Sequence, residues 1–217
     1  MEPTSPKSWH LICRKLEIVV DFPCKTWKET GLQFVGPRNR TISSQIVNHW
    51  TGAENPPEAV HRNMKSENKS VHFVVDAGGT VYQMADTELR AGHCRAHNMN
   101  ATSIGIEFIG RGNFRHLPWR GVDRHSTTAM IHHRAVTYDD LTDAQLKIGV
   151  KLNRVLCGLY GLPMRVPLDS SGDVYAAALS ETVILNFAGC IGHFHADAGK
   201  VDPGLTLLRA IRDAGKA

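Results

Sequence analysis

The sequence predicts an α/β fold, a mixed central β-sheet with helices packed on it. Three observations point there. Two runs with strong β propensity, ISSQIVNHW (42–50) and SIGIEFIG (103–110), read as strands. SVHFVVDAGGTVYQM (70–84) reads as a hairpin, and a long apolar stripe from about Thr142 to Tyr160 reads as a helix.

The elements follow in chain order. In 42–50, Ile46 falls on one face of the strand and Val47 on the other. Asn55-Pro56-Pro57-Glu58 opens a helix, with Asn as the cap, Pro in the first turn and an acid three residues after the cap. The hairpin turns at Ala77-Gly78-Gly79. Across Ile104 to Ile109 both alternating sets are largely apolar, which predicts a strand buried on both faces. Residues 111–140 are polar and irregular and read as loop. In the long helix Leu152, Val155, Leu156 and Leu159 make the apolar stripe, and Gly161 and Pro163 end it. Residues 164–182 read as an insertion containing a short helix. TVILNFAGCIGHFH (182–195) contains a buried strand, and Pro203 to Ala214 form a terminal amphipathic helix.

The bulk numbers fit one medium domain. The 217 residues are enough to bury a single core, and 42% hydrophobic with 21% charged is ordinary for a soluble globular chain. No stretch approaches the roughly 20 apolar residues of a membrane span, and the first 20 residues lack the pattern of a signal peptide. The expectation is a cytoplasmic protein, or one that reaches its target by a non-Sec route. The net charge of +4 is scattered, with no Lys/Arg block, so a nucleic-acid partner is not expected, whereas an anionic polymer suits it. Five cysteines (Cys13, Cys24, Cys94, Cys157, Cys190) are odd in number and contain no CxxC pair, which predicts buried thiols, with one disulfide left open. A monomer is expected.

Twelve histidines invite a search for metal ligands. His49 and His193 each follow a β-rich run, and strand ends hold side chains rigidly at the rim of a sheet. Asp202 comes nine residues after His193, within Lys200-Val201-Asp202-Pro203-Gly204. Two imidazoles and a carboxylate make a three-ligand zinc set with a fourth position for water. Each residue alone has a plainer role: a surface or core histidine, or a cap of the last helix for Asp202. His195 lies on the same face as His193 if the strand continues, and is an alternative ligand. His72 is expected to pack within the hairpin, while His61, His116, His125, His132 and His133 are expected to be solvated.

The order VNHWTG, SVHFVVDAGGTVYQM, an HxxxxN before SIGIE, and GH…KxDPG resembles the type 2 N-acetylmuramoyl-L-alanine amidase family. That family includes phage amidase lysozymes, muropeptide-recycling amidases and peptidoglycan recognition proteins. The resemblance runs from about Ile42 to Gly204 and implies the amidase/peptidoglycan-recognition-like form of the fold. It implies zinc (Zn2+) held by His49, His193 and Asp202, a catalytic acid at Glu107, and a lysine near the developing oxyanion at Lys200. It also implies a substrate groove lined by Trp50, His93 and Asn98; His93 has a second reading, as a partner standing behind a metal ligand. The implied activity is hydrolysis of the bond between N-acetylmuramic acid and L-alanine in peptidoglycan or muropeptides. On this reading residues 1–40 are an N-terminal extension packed on a catalytic domain, 41–217, with an insertion at 164–182. Glu107 with Asp202 places the chain nearer the recycling branch. In contrast to that branch, His195 stands where its pattern carries an acid, and the segment from His193 to Lys200 is one residue shorter.

The residues themselves suit amide hydrolysis. Zinc polarises a carbonyl and lowers the pKa of bound water to about 7. A carboxyl on a neighbouring strand can pass a proton from water to the leaving nitrogen. An acid in a strand buried on both faces is costly unless paired or functional. Lys200 offers fixed positive charge for a tetrahedral oxyanion. Two other readings stay open: a module of the same fold that binds muropeptide without cutting it, and a zinc hydrolase acting on another amide.

Overall fold

A computed structural model describes residues 8–36, 44–114, 116 and 121–216. The chain opens with an antiparallel hairpin, β1 (Trp9–Cys13) and β2 (Leu16–Val20), then a short β3 (Cys24–Lys25) and one helical turn, α1 (Trp27–Thr30). Next come β4 (Gln45–Trp50), α2 (Pro57–Ser66), β5 (Phe73–Val75) and β6 (Val81–Gln83). A 3₁₀ turn (Ala96–Asn98) runs into α3 (Met99–Thr102) and then β7 (Ser103–Phe108). A second hairpin, β8 (Ser126–Ile131) and β9 (Arg134–Asp139), precedes the long α4 (Asp143–Tyr160). The chain ends with α5 (Glu181–Asn186), β10 (Gly189–Gly192), α6 (His193–Ala196) and α7 (Thr206–Ala214).

Six strands form one mixed sheet in the order β10-β4-β7-β5-β6-β3. β10, β4, β7 and β5 run parallel, and β6 returns antiparallel to β5. The α/β class and the 70–84 hairpin are as expected. Period-2 alternation sorts the central side chains. Ile46, Ile104, Ile106, Phe108 and Cys190 face one way, into a core closed by Leu152 and Leu156 of α4 and Leu207, Leu208 and Ile211 of α7. Val47 and Ile191 face the other way, against Cys94, Met99 and Ile184.

Local chemistry explains the helix ends. The Thr142 hydroxyl accepts from the Gln145 N–H while Gln145 reaches back to the Thr142 N–H, a capping box. Gly161 closes α4 in the left-handed region at φ 62°, where a Cβ would be strained. α2 starts one residue later than predicted: Pro56 occupies the cap and Asn55 lies before it.

Three further expectations change. Residues 111–140, read as loop, contain the β8-β9 hairpin. Its two-residue turn is His132-His133, both at positive φ, so the usual Asn-Gly signal is missing. The helix expected within 164–182 begins only at Glu181, capped by the Ser180 hydroxyl, so TVILN is helical and β10 spans just Gly189–Gly192. The terminal helix starts at Thr206 rather than Pro203. The described N-terminal residues are bonded to the sheet: β3 adds an edge strand beside β6, and the Gln83 amide clamps both backbone groups of Ile12. All five cysteines are free and buried. Among the described residues no helix is long and apolar enough to cross a membrane.

Candidate metal centre and active site

The parallel strands β4 and β7 end together at Trp50 and Phe108, with β10 stopping two residues earlier at the level of Asn48, and the crevice beyond such carboxyl ends is where open α/β sheets bind ligands. His49 is the fifth residue of β4 and pairs in register with Glu107 of β7, so both side chains leave the same face. Gly192 pairs with Asn48, which puts His193 one step further, level with His49. Asp202 arrives from the loop before α7, its carbonyl accepting the Phe194 N–H.

These residues converge. His49 Nδ1 lies 3.0 Å from His193 Nδ1 and 3.2 Å from Asp202 Oδ2, and His193 Nδ1 lies 3.0 Å from the same oxygen. Among the described residues this is the group whose donor atoms are clustered for a metal ion, all within 4.8 Å of one another. Two imidazole nitrogens and a carboxylate oxygen are the donor chemistry zinc takes in hydrolytic sites. The set fits the ion.

Charge follows from the packing. Burial and the neighbouring His193 push His49 down to about 4, against the pull of Asp202. Burial also opposes charge on His193, but Asp202 and the Cys94 sulfur lift it to about 10. Burial works against ionising Asp202, yet the His193 and His49 rings hold it well below the usual carboxylate range. The Asp202 carboxylate thus favours positive charge on the His193 ring, in the place a cation would take.

Glu107 is 8% exposed, and its Oε2 has no hydrogen-bond partner among the described residues. Burial, with Asp202 adding to it, pushes this carboxyl up to about 8 against the pull of His193, Lys69 and Lys200. An unpartnered polar atom costs free energy in a folded interior, so its retention beside the donor set points to use rather than packing. His49, Glu107, His193, Lys200 and Asp202 all line one cavity of about 420 Å³. Lys200 is exposed, and the His132 ring holds its carbonyl through Nε2 at 2.8 Å.

The other predicted residues divide. Trp50 lines the cavity but is 6% exposed and packs on Tyr138 with ring centroids 5.3 Å apart. His93 lines it too, with Nδ1 3.0 Å from His49 Nε2. Asn98 lies outside the cavity; its left-handed backbone, φ 58°, turns the chain at an exposed corner. Asn100, which sequence reasoning passed over, accepts from the N–H groups of both His93 and Cys94 at 3.0 and 2.7 Å. No spacing signal separates these two asparagines in HNMN. His195 does not share a face with His193, because the strand stops at Gly192 and a helical turn begins. Its Nδ1 accepts from the Gly192 N–H and its Nε2 donates to the Tyr175 carbonyl, so both ring nitrogens face away from the donor set. His72 is fully buried in the hairpin region. His132, expected to be solvated, is instead tied down at both nitrogens.

The sequence profile described as N-acetylmuramoyl-L-alanine amidase matches residues 38–205. No curated protein sequence matches the chain. Solved structures share the fold at low identity, three of them as follows. An N-acetylmuramoyl-L-alanine amidase, LysC from Clostridium intestinale URNW, is 17% identical with TM-score 0.51, over 79% of this chain and 82% of its own. The endolysin of Thermus scotoductus bacteriophage Ph2119 is 15% identical with TM-score 0.51, over 88% and 98%. The Staphylococcus aureus hydrolase AmiA is 12% identical with TM-score 0.52, over 87% and 79%.

Proposed function

Because this chain belongs to the N-acetylmuramoyl-L-alanine amidase family, we propose that it is a zinc-dependent enzyme that hydrolyses the amide between N-acetylmuramic acid and L-alanine in peptidoglycan or muropeptides. One observation carries this reading: the His49, His193 and Asp202 donor atoms converge in the lining of one cavity that also holds the unpartnered Glu107 carboxyl oxygen.

His49 Nδ1, His193 Nδ1 and Asp202 Oδ2 would hold the ion. Zinc, when bound, supplies the Lewis acid that makes an amide carbonyl and a water reactive at neutral pH. Glu107 Oε2 takes the proton of the attacking water and returns it to the departing L-alanine nitrogen. A carboxyl that burial has raised towards neutrality is suited to both halves of that transfer. The Lys200 ammonium supplies positive charge from the cavity rim as the carbonyl oxygen becomes an oxyanion. In this reading residues 41–217 are the catalytic unit, 164–182 an insertion in it, and 1–40 an extension packed on it.

The test uses purified peptidoglycan, with and without a chelator, and counts new amines and new reducing ends. An amidase releases stem peptides with a free L-alanine amine and loses activity to the chelator, whereas a glycosidase makes reducing ends. Chelator-insensitive reducing ends would sink the reading. Tight muropeptide binding without product would replace it with a binding module.

A further inference from the structure

We propose that His93 and Ser103 form a positioning relay that fixes which ring nitrogen of His49 faces the metal; this rests on reading His49 as a ligand. His49 is buried, with both ring nitrogens engaged. Its Nδ1 faces His193 and Asp202, while its Nε2 lies 3.0 Å from His93 Nδ1. The two rings meet edge to face at 82°. On the far side of the His93 ring, Nε2 lies 3.3 Å from the Ser103 hydroxyl. That hydroxyl donates to the Met99 carbonyl at 2.6 Å.

The direction of every proton in this chain follows from its last member. A serine hydroxyl has one hydrogen, and a carbonyl can only accept. With that hydrogen committed to Met99, Ser103 can only accept from His93, so His93 carries its proton on Nε2. In a neutral imidazole the other nitrogen, Nδ1, then holds a lone pair and accepts from His49 Nε2–H. His49 Nδ1 is left with its lone pair aimed at the proposed metal position. The relay matters because the Asp202 carboxylate favours the opposite arrangement in the metal-free site, with the His49 proton on Nδ1. Partners behind a ligating histidine set its tautomer and orientation.

The surroundings are shaped for this ring. Asn100 fixes the His93 backbone through its N–H and that of Cys94. A Cβ on Gly105 would fall 2.6 to 2.8 Å from three atoms of the His93 ring, so the glycine in β7 leaves the slot the imidazole fills. The Gly105 N–H is itself held by His72 Nδ1 at 3.0 Å. Ser103 is fully buried and does not line the cavity, so it can reach substrate only through His93.

Nitrogen-15 NMR of the metal-free protein reads the His49 tautomer directly, and competition with a chromophoric chelator reads zinc affinity. Wild type is expected to hold the proton on His49 Nε2. Ser103→Ala should let both rings invert, moving the proton to Nδ1 in a substantial fraction of molecules, and should weaken zinc about tenfold or more. Ser103→Thr, which keeps the hydroxyl, should restore both readouts, and a thermal melt of each variant controls for folding. An unchanged tautomer and unchanged zinc affinity in folded Ser103→Ala would overturn the relay. So would a His93→Phe variant that raises KM alone, because a substrate contact predicts that pattern. A wild-type protein that shows the Nε2–H tautomer yet binds no zinc would fail the metal reading and leave the relay standing.

Discussion

The two faces of the central sheet are built from the same three strands and do opposite things. On the back, Ile46, Ile104, Ile106 and Phe108 are sealed against α4 and α7, and the polar pair there, Asn48 with Asn153 of α4, is closed on itself by hydrogen bonds. On the front, the alternate positions of β4 and β7 end in His49 and Glu107, buried nearly as deeply but polar. One residue of register separates an isoleucine that stabilises the fold from a carboxyl that destabilises it. The back face supplies rigidity, and the front face uses it to hold groups that would otherwise relax or hydrate.

The largest expected effect tests that division directly. Asp202→Ala should remove zinc, measured by elemental analysis, and abolish amidase activity while the protein still folds. Ile106→Ala, one residue from Glu107 but on the other face, should do the reverse. It should cost about 2–5 kcal/mol in chemical denaturation and keep stoichiometric zinc. Loss of metal from Ile106→Ala at temperatures where it remains folded would mean the faces are not separable.

Next in size is Glu107→Gln. Removing the proton carrier should lower turnover by about 10²–10⁴ with zinc retained. Retention of more than about a tenth of the activity would assign the proton transfer to another group. The same variant should be about as stable as wild type, because a neutral amide of the same shape replaces a carboxyl that burial already pushes towards its neutral form.

Much of the front face is legible in the sequence. The strands around His49 and Glu107 are apolar runs, and the resemblance carried by GH…KxDPG points to His193 and Asp202, which the fold brings beside His49. What was not legible depends on contacts between distant segments. The β8-β9 hairpin hid because only its ends are buried and its turn carries His-His where Asn-Gly would signal it. The buried strand expected within 182–195 is the short run Gly189–Gly192, and the TVILN before it is helical behind the Ser180 cap. Asn98 and Asn100 are indistinguishable in sequence; a left-handed backbone turns one to solvent and leaves the other on the His93 amide.

A smaller effect distinguishes the two histidines of GHFH. His195→Ala strips partners from the Gly192 N–H and the Tyr175 carbonyl, which should cost about 1–3 kcal/mol. Zinc content should be unchanged. His193→Ala should show the opposite pattern, with metal lost and little stability lost. Zinc missing from folded His195→Ala, with zinc kept by His193→Ala, would make His195 the ligand instead.

The smallest effect asks to which half residues 164–182 belong. The segment touches both: the Tyr175 carbonyl receives the His195 proton near the site, and Asp173 grips Arg209 and Arg212 of α7 behind the sheet. Hydrogen bonding to Arg209 holds the Asp173 carboxyl down to about 2 from 3.8 despite some burial. A depressed carboxylate contributes stability that is fully present above its unfolded value and lost as pH falls towards the folded one. That window is 3.8 to about 2. The group is 37% exposed, so screening limits the pair, and Asp173→Asn should cost no more than about 1 kcal/mol at pH 7. The difference from wild type in urea unfolding should shrink as pH falls through that window. Zinc content and turnover should not change, because the contact lies on the structural side of the sheet. A drop in zinc affinity would instead couple α7, through Tyr175 and His195, to the loop that carries His193.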